Sequence, residues 1–328
     1  MPRIPRLLKG DEPTVYHVIS RVALDGLPFN SKDKEFLLWL MKKWSSIFFV
    51  DVLGFAIMGN HFHLVVRMHT VDGAGDEEVM ERYMMMKSKE DHEEDGDDMV
   101  YTGPSPGTKE FQALKAKLCS LSWYVKEIKQ GFSRYYNRKY DRRGYLWGDR
   151  FKSVIVEDGE ALLNLLAYVD LNPVRAGIVK RPEDYRWCGL GYYVQSGNRD
   201  GFLCAEFGMN EWCELGEDEA LARYREYVYE AGGIAKDGKS SISPEILEKE
   251  RRRGYRLTRQ EVFRLRCRYF TDGCIIGSSR FVEEMAERFR DALKFKRKRR
   301  GISFMLQGRG TRGASAPVCS LRRPCMAL

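Results

Sequence analysis

Two short apolar runs meeting at a Gly-Asn pair limit what the middle of this chain can become. Phe55-Ala56-Ile57-Met58 runs into Gly59-Asn60, and the alternating segment His61-Phe62-His63-Leu64-Val65-Val66 follows. Apolar runs on either side of a tight turn signal predict a β-hairpin. Side chains two apart share a face of a strand, so His61 and His63 leave one side while Phe62 enters the core on the other. Of the five histidines in the chain, two stand where one divalent cation fits between them. On its own the pair reads equally well as two half-buried imidazoles hydrogen-bonded to backbone or water.

The flanking sequence supplies a sheet and its cover. Thr14 to Val22 is β-branched and aromatic and predicts a strand, in which His17 reads as a satisfied strand histidine rather than a ligand. Ser31 to Phe48 opens with a capping-type Ser31 and an early Asp33, then places apolar residues at helical spacing. From Thr70 to about Lys109 the sequence turns acidic, Met-rich and Gly/Pro-containing, which marks an insertion with a short helix at Met84-Met85-Met86 and no assigned structure over 87–107. Phe111 to Tyr140 predicts one long helix. Tyr145 to Glu157 predicts a strand or strand pair bent at Gly148. Gly159 to Asn172 predicts a helix ended by Pro173. The order strand, helix, strand, strand, helix, strand, helix predicts an α+β fold, an antiparallel sheet packed with helices.

Charge points to the partner. The net charge is +8 and the pI near 9.0, although the acidic run from Glu90 to Asp98 hides a more basic remainder. A polyanion is expected, nucleic acid first and a membrane surface second. No apolar run is long enough to span a bilayer and the start lacks the apolar segment of a signal peptide, so a soluble protein of the cytoplasm, associated with the nucleoid, is expected. The eight cysteines contain no Cys-x-x-Cys and read as reduced thiols, without structural zinc. In the long helix, Trp123, Tyr124, Phe132, Tyr135, Tyr136 and Tyr140 interleave with Lys126, Lys129, Arg134, Arg138 and Lys139. Cations for phosphates and aromatic faces for unstacked bases are what single-stranded nucleic acid requires. A solvated basic helix face accounts for any one of these lysines equally well.

Tyr168 and Asn172 are four residues apart and lie on one helix face, which fits either a shared site or a core tyrosine beside a helix-capping Asn. Taken together, GFAIMGNHFHLVV, YNRKYDRRGYLWGDRFKS and LLAYVDLNPVRAGIV followed by PEDYRWCGLGYY resemble the single-tyrosine HUH transposases, in particular the REP-associated tyrosine transposase branch. The likeness spans about Tyr16 to Tyr193, interrupted by the acidic insertion. It implies the single-tyrosine HUH nuclease fold, with His61 and His63 as metal ligands, Asn172 completing the metal site and Tyr168 as nucleophile. It further implies a metal-dependent single-strand DNA endonuclease and strand transferase that passes through a 5′-phosphotyrosine near DNA hairpins. Mg2+ or Mn2+ is the expected cofactor, Mn2+ suiting imidazole nitrogen better. Candidates for holding DNA are Lys129, Arg134, Arg138, Arg142, Arg143, Arg150, Lys152 and Arg175, the last equally placed to cap a helix end. A DNA-binding regulator on an inactive nuclease fold, and a replication initiator or relaxase, are the competing readings. The protein is expected to act as a monomer or a homodimer.

The sequence divides into a nuclease domain over 1–195 with its insertion at about 70–109, a connecting region over 196–245, a mainly helical appendage over 246–300 and a basic disordered tail over 301–328. The appendage carries a capping-box pattern at Thr258-Arg259-Gln260-Glu261, a turn around Thr271-Asp272-Gly273 and a second helix from about Ser279 to Phe295. Two helices about a turn, rich in arginine, read as a DNA-binding helix-turn-helix or as a plain helical hairpin.

Overall fold

The computed structural model describes residues 12–87, 101–204, 215–266, 273–289, 302–304 and 318–322. Contacts divide the chain into two compact units, the first made of Met1–Asn172 with Leu203–Glu214, the second of Pro173–Phe202 with Leu215–Leu328. The first unit is α+β, a four-stranded antiparallel sheet packed with helices. Strands β1 (Thr14–Arg21), β2 (Val50–Ile57), β3 (His61–Met68) and β4 (Lys152–Val156) stand in the order β2-β3-β1-β4. The hairpin forms at Gly59-Asn60 as its sequence predicts. Its ladder slips once, between Val52 and Gly54.

One side of the sheet is the core. Phe62 is wholly buried there, with Trp147 packed edge-on at 5.6 Å. Helices α1 (Ser31–Ser45) and α4 (Leu121–Lys139) pack against each other in the first unit. Their junction is electrostatic as well as apolar. Asn30, rather than Ser31, is the N-cap of α1 and forms a reciprocal capping box with Asp33. The Asp33 carboxylate is fully buried and also accepts hydrogen bonds from Tyr135, Tyr140 and the Lys139 ammonium, the last at 2.6 Å.

The predicted long helix is two. Helix α3 (Lys109–Leu118) ends at Cys119, and Ser120 begins α4. The short helix read at Met84-Met85-Met86 is the end of a longer one, α2 (Asp76–Lys87), which buries Val79 and Met86 and whose Asp76 accepts from Lys115 at 2.9 Å. The acidic run at 90–98 lies outside the described residues.

The other side of the sheet carries α5 (Glu160–Asp170). Gly54 makes this approach possible, since a Cβ there would stand 2.6 Å from Leu166 Cδ2. Helix α5 ends at Asp170, before Pro173 as the sequence predicts, and Pro173 then enters the separate four-residue α6 (Asn172–Arg175), where a missing N–H costs nothing in the first turn.

The second unit contains α7 (Gly189–Ser196), α8 (Glu217–Gly233), α9 (Pro244–Arg252) and α10 (Arg259–Arg266). At its centre the buried Arg225 guanidinium bridges two buried carboxylates, Glu183 at 2.6 Å and Glu250 at 2.8 Å, and Tyr229 donates to Glu183. The capping box of α10 forms as predicted, with Thr258 and Glu261 exchanging hydrogen bonds. The helix-turn-helix reading is corrected by β5 (Gly273–Ser278), which stands between α10 and α11 (Ser279–Arg288). With β6 (Ile302–Phe304) and β7 (Val318–Arg322) it forms an antiparallel sheet in the order β5-β7-β6, so strands occupy part of the region expected as a disordered tail. The basic run at 294–300 and the turn residues Thr271-Asp272 lie outside the described residues.

Candidate functional site

Register decides which side chains share the face opposite Phe62. His63 pairs with Ile19, and Ile19 with Lys152; His61 pairs with Arg21; Val65 pairs with His17, and His17 with Val154. Directly paired residues point to the same side, so His61, His63, His17, Arg21 and Lys152 occupy one face. His17 and Arg21 are the members that sequence reasoning missed. Their strand lies about forty residues from the hairpin, and only the pairing brings them in.

The imidazoles are held by named partners. His61 Nδ1 is 2.8 Å from Asn60 Oδ1, and Asn60 Nδ2 donates to the Gly26 carbonyl at 2.8 Å. That second bond fixes the Asn60 amide, so His61 Nδ1 is the donor and Nε2 keeps its lone pair. His63 Nδ1 is 3.0 Å from His17 Nε2, the two rings side by side with centres 5.2 Å apart and planes 17° from parallel. Burial draws His17 down to about 4. Burial and then the Arg21 charge draw His61 to about 4. Burial, the neighbouring histidines and Arg21 draw His63 to about 3. All three are neutral at physiological pH.

Helix α5 brings Tyr168 to the same face. Its ring lies 5.7 Å from that of His63 and 6.4 Å from that of His17, edge-on to both. It is about half exposed, and its hydroxyl has no hydrogen-bond partner among the described residues. Asn172 Nδ2 donates to the carbonyls of Tyr168 and Val169, which leaves Oδ1 as its open end. Among the described residues no three His, Cys, Asp or Glu side chains are grouped to hold a metal ion. His61 and His63, their ring centres 5.2 Å apart, offer two imidazole nitrogens, donors that suit a divalent cation that accepts nitrogen, while Asn172 makes no hydrogen bond to either histidine.

The basic residues separate between faces. An open groove of about 560 Å3 is lined by Lys126, Lys129, Arg134, Trp147, Arg150 and Phe151. Since Trp147 also packs on Phe62, this groove lies on the side of the sheet away from the histidines. Lys129 donates to the Asp149 carbonyl at 2.9 Å. Arg138 and Arg143 are exposed, and the half-buried Arg142 guanidinium lies 5.9 Å from the Tyr136 ring centre. Arg175, in the second unit, donates to the carbonyls of Ala231 and Ile234 at the end of α8 and to that of Ser240, rather than capping the helix that precedes it. Tyr124, Phe132 and Tyr136 are core residues rather than stacking platforms, and Tyr135 stacks on Phe36 at 3.8 Å. Tyr145, at 93% exposure, is the most open of the exposed aromatic residues.

No protein-family model and no curated protein matches this chain. Among solved structures, the chain is similar to one described as a REP-associated tyrosine transposase bound to a REP hairpin, with 14% sequence identity and a TM-score of 0.40, over 60% of this chain and 87% of that one. A likeness at that level leaves function to be argued from the side chains themselves. No helix among the described residues is long and apolar enough to cross a membrane.

Proposed function

We propose that the chain is a metal-dependent single-strand DNA endonuclease and strand transferase, with Tyr168 as nucleophile. The observation that carries this reading is the placement of a half-exposed tyrosine, whose hydroxyl has no partner among the described residues, with its ring 5.7 Å from that of His63, which lies 5.2 Å from that of His61. A binding protein needs none of these three together. A divalent ion, Mg2+ or Mn2+, held by His61 Nε2, His63 Nε2 and Asn172 Oδ1 would neutralise charge on the non-bridging phosphate oxygens.

The chain's own groups do the rest. Tyr168 Oη attacks the phosphorus, the bond from phosphorus to the 3′ oxygen breaks, and a 5′-phosphotyrosine and a 3′-hydroxyl result. The phenol releases its proton as the departing oxygen takes one up, and one phosphodiester replaces another, so a second 3′-hydroxyl can reverse the step and join strands. Arg21 and Lys152, on the histidine side, are the cations nearest in register to the ligands and would hold the strand being cut. The groove with Lys126, Arg134 and Arg150 would hold a flanking part, a hairpin stem being the expected target.

The test is incubation of end-labelled DNA hairpins bearing single-stranded flanks with the wild-type protein, Tyr168→Phe, His61→Ala and His63→Ala, with Mn2+ or chelator. Cleavage by wild type with Mn2+, absent from all three variants and with chelator, is expected. Hairpin binding without cleavage by wild type would return the reading to a DNA-binding regulator.

A further inference from the structure

The two candidate ligands differ in what fixes them. His61 takes its hydrogen-bonding role from Asn60, which is itself fixed by the Gly26 carbonyl. His63 has no amide or carbonyl at Nδ1. It has a third imidazole, His17 Nε2, at 3.0 Å, and both residues are buried, His17 at 6% and His63 at 4% exposure. A ring nitrogen pair of this kind shares one proton. If His17 donates, His63 carries its proton on Nε2 and cannot ligate through that atom. If His63 donates from Nδ1, its Nε2 lone pair is free.

We propose that His17 is a positioning residue for the metal site, accepting a hydrogen bond from His63 Nδ1 and so holding His63 in the tautomer whose Nε2 faces outward as a ligand. The inference rests on the metal-binding reading of His61 and His63 given above. It explains why a polar ring is buried at residue 17, a position flanked in register by the apolar Val65 and Val154. The two rings are nearly coplanar, at 17° with centres 5.2 Å apart, which is the side-by-side arrangement an in-plane nitrogen–nitrogen hydrogen bond requires. Outer partners of metal-binding histidines act in this way, and their removal typically weakens metal binding about 10–100-fold.

The role is tested without turnover. In protein labelled with 15N in the histidine rings and kept free of metal, two-bond nitrogen–proton correlations report which nitrogen of each imidazole carries the proton. His63 is expected as Nδ1–H in wild type. Mn2+ affinity, read by electron paramagnetic resonance of the free ion, is expected to fall about 10–100-fold in His17→Phe and to stay near wild type in His17→Gln, whose side-chain carbonyl can accept the same bond. Thermal melts identify a variant that has lost its fold, and the wild-type tautomer stands as a test without any substitution. Nε2–H at His63 in wild type, or unchanged Mn2+ affinity in folded His17→Phe, would overturn the role of His17. Mn2+ binding that is indifferent to His61→Ala and His63→Ala would instead overturn the metal site itself.

Discussion

Leu166 of α5 lies over Gly54 of β2 so closely that a Cβ at residue 54 would stand 2.6 Å from Leu166 Cδ2. This close approach sets the height of the helix that carries Tyr168, two residues further on. Leu166 is buried, at 4% exposure, and has little room to yield. Gly54→Ala is therefore expected to destabilise the protein by about 1–3 kcal/mol, the usual cost of overpacking a core. It should also slow cleavage at saturating DNA, because Tyr168 moves with the helix. Urea unfolding followed by single-turnover kinetics checks both, and unchanged stability with unchanged rate would refute the role of the Gly54–Leu166 packing.

Two buried histidines, His17 and His63, and the half-buried His61 make metal-free stability depend on pH. His17, His61 and His63 titrate at about 4, 4 and 3 in the folded protein, below the ordinary value of 6.5. Between those values the unfolded chain binds protons that the folded chain does not. Stability thus falls as pH is lowered from about 6.5 and levels off below about 3. A loss on the order of 3 kcal/mol is expected for a buried imidazole such as His17. Denaturant midpoints measured in chelator from pH 7 to pH 4 should show the decline, and a flatter profile is expected from His17→Phe combined with His63→Leu.

The division of cations between faces separates binding from chemistry. Arg134→Ala and Arg150→Ala, in the groove on the Phe62 side, should each weaken DNA binding. The slope of log affinity against log salt should become shallower by about 0.9 for each stem phosphate that is no longer neutralised. Cleavage at saturating DNA should stay near wild type. Arg21→Ala and Lys152→Ala, on the histidine side, should lower the rate at saturating DNA. Salt titrations and single-turnover rates on the same variants would show whether the assignment is reversed.

In the second unit, Arg225→Met removes the only cation within hydrogen-bond reach of the buried Glu183 and Glu250 among the described residues. Breaking a buried pair from one side typically costs about 3–5 kcal/mol, here because Glu183 loses its cation and Glu250 keeps only Arg181 at 3.9 Å. Chemical denaturation is expected to show a loss of that size. Replacing all three with apolar residues of similar volume should recover much of it.

What could be read from sequence alone follows the range over which each signal acts. The hairpin and the shared face of His61 and His63 are local and appear in the structure as read, whereas Tyr168 and Asn172, read on one helix face, fall in separate helices, because α5 ends at Asp170 and Asn172 opens α6 while its amide caps α5. The place of His17 depends on β1 pairing with β3, which no local pattern reports, so a residue read as a satisfied strand histidine stands against His63. Lys139, Tyr135 and Tyr140 look in sequence like a nucleic-acid surface, yet they converge on Asp33, a single buried carboxylate about a hundred residues earlier. The break at Cys119-Ser120 escaped because the apolar spacing continues through it. The strand at Gly273–Ser278 escaped because its partner strand, Val318–Arg322, lies far along the chain.

The most direct measurement is the identity of the residue that becomes attached to DNA. Wild-type protein would be incubated with a hairpin substrate and Mn2+, denatured, digested with nuclease and protease, and the nucleotide-bearing peptide sequenced by mass spectrometry. A nucleotide is expected on Tyr168 and none on Tyr145, although Tyr145 is the more exposed ring at 93% against 48%. A nucleotide on Tyr145 or any other tyrosine, or cleavage without a covalent adduct, would contradict Tyr168 as the nucleophile.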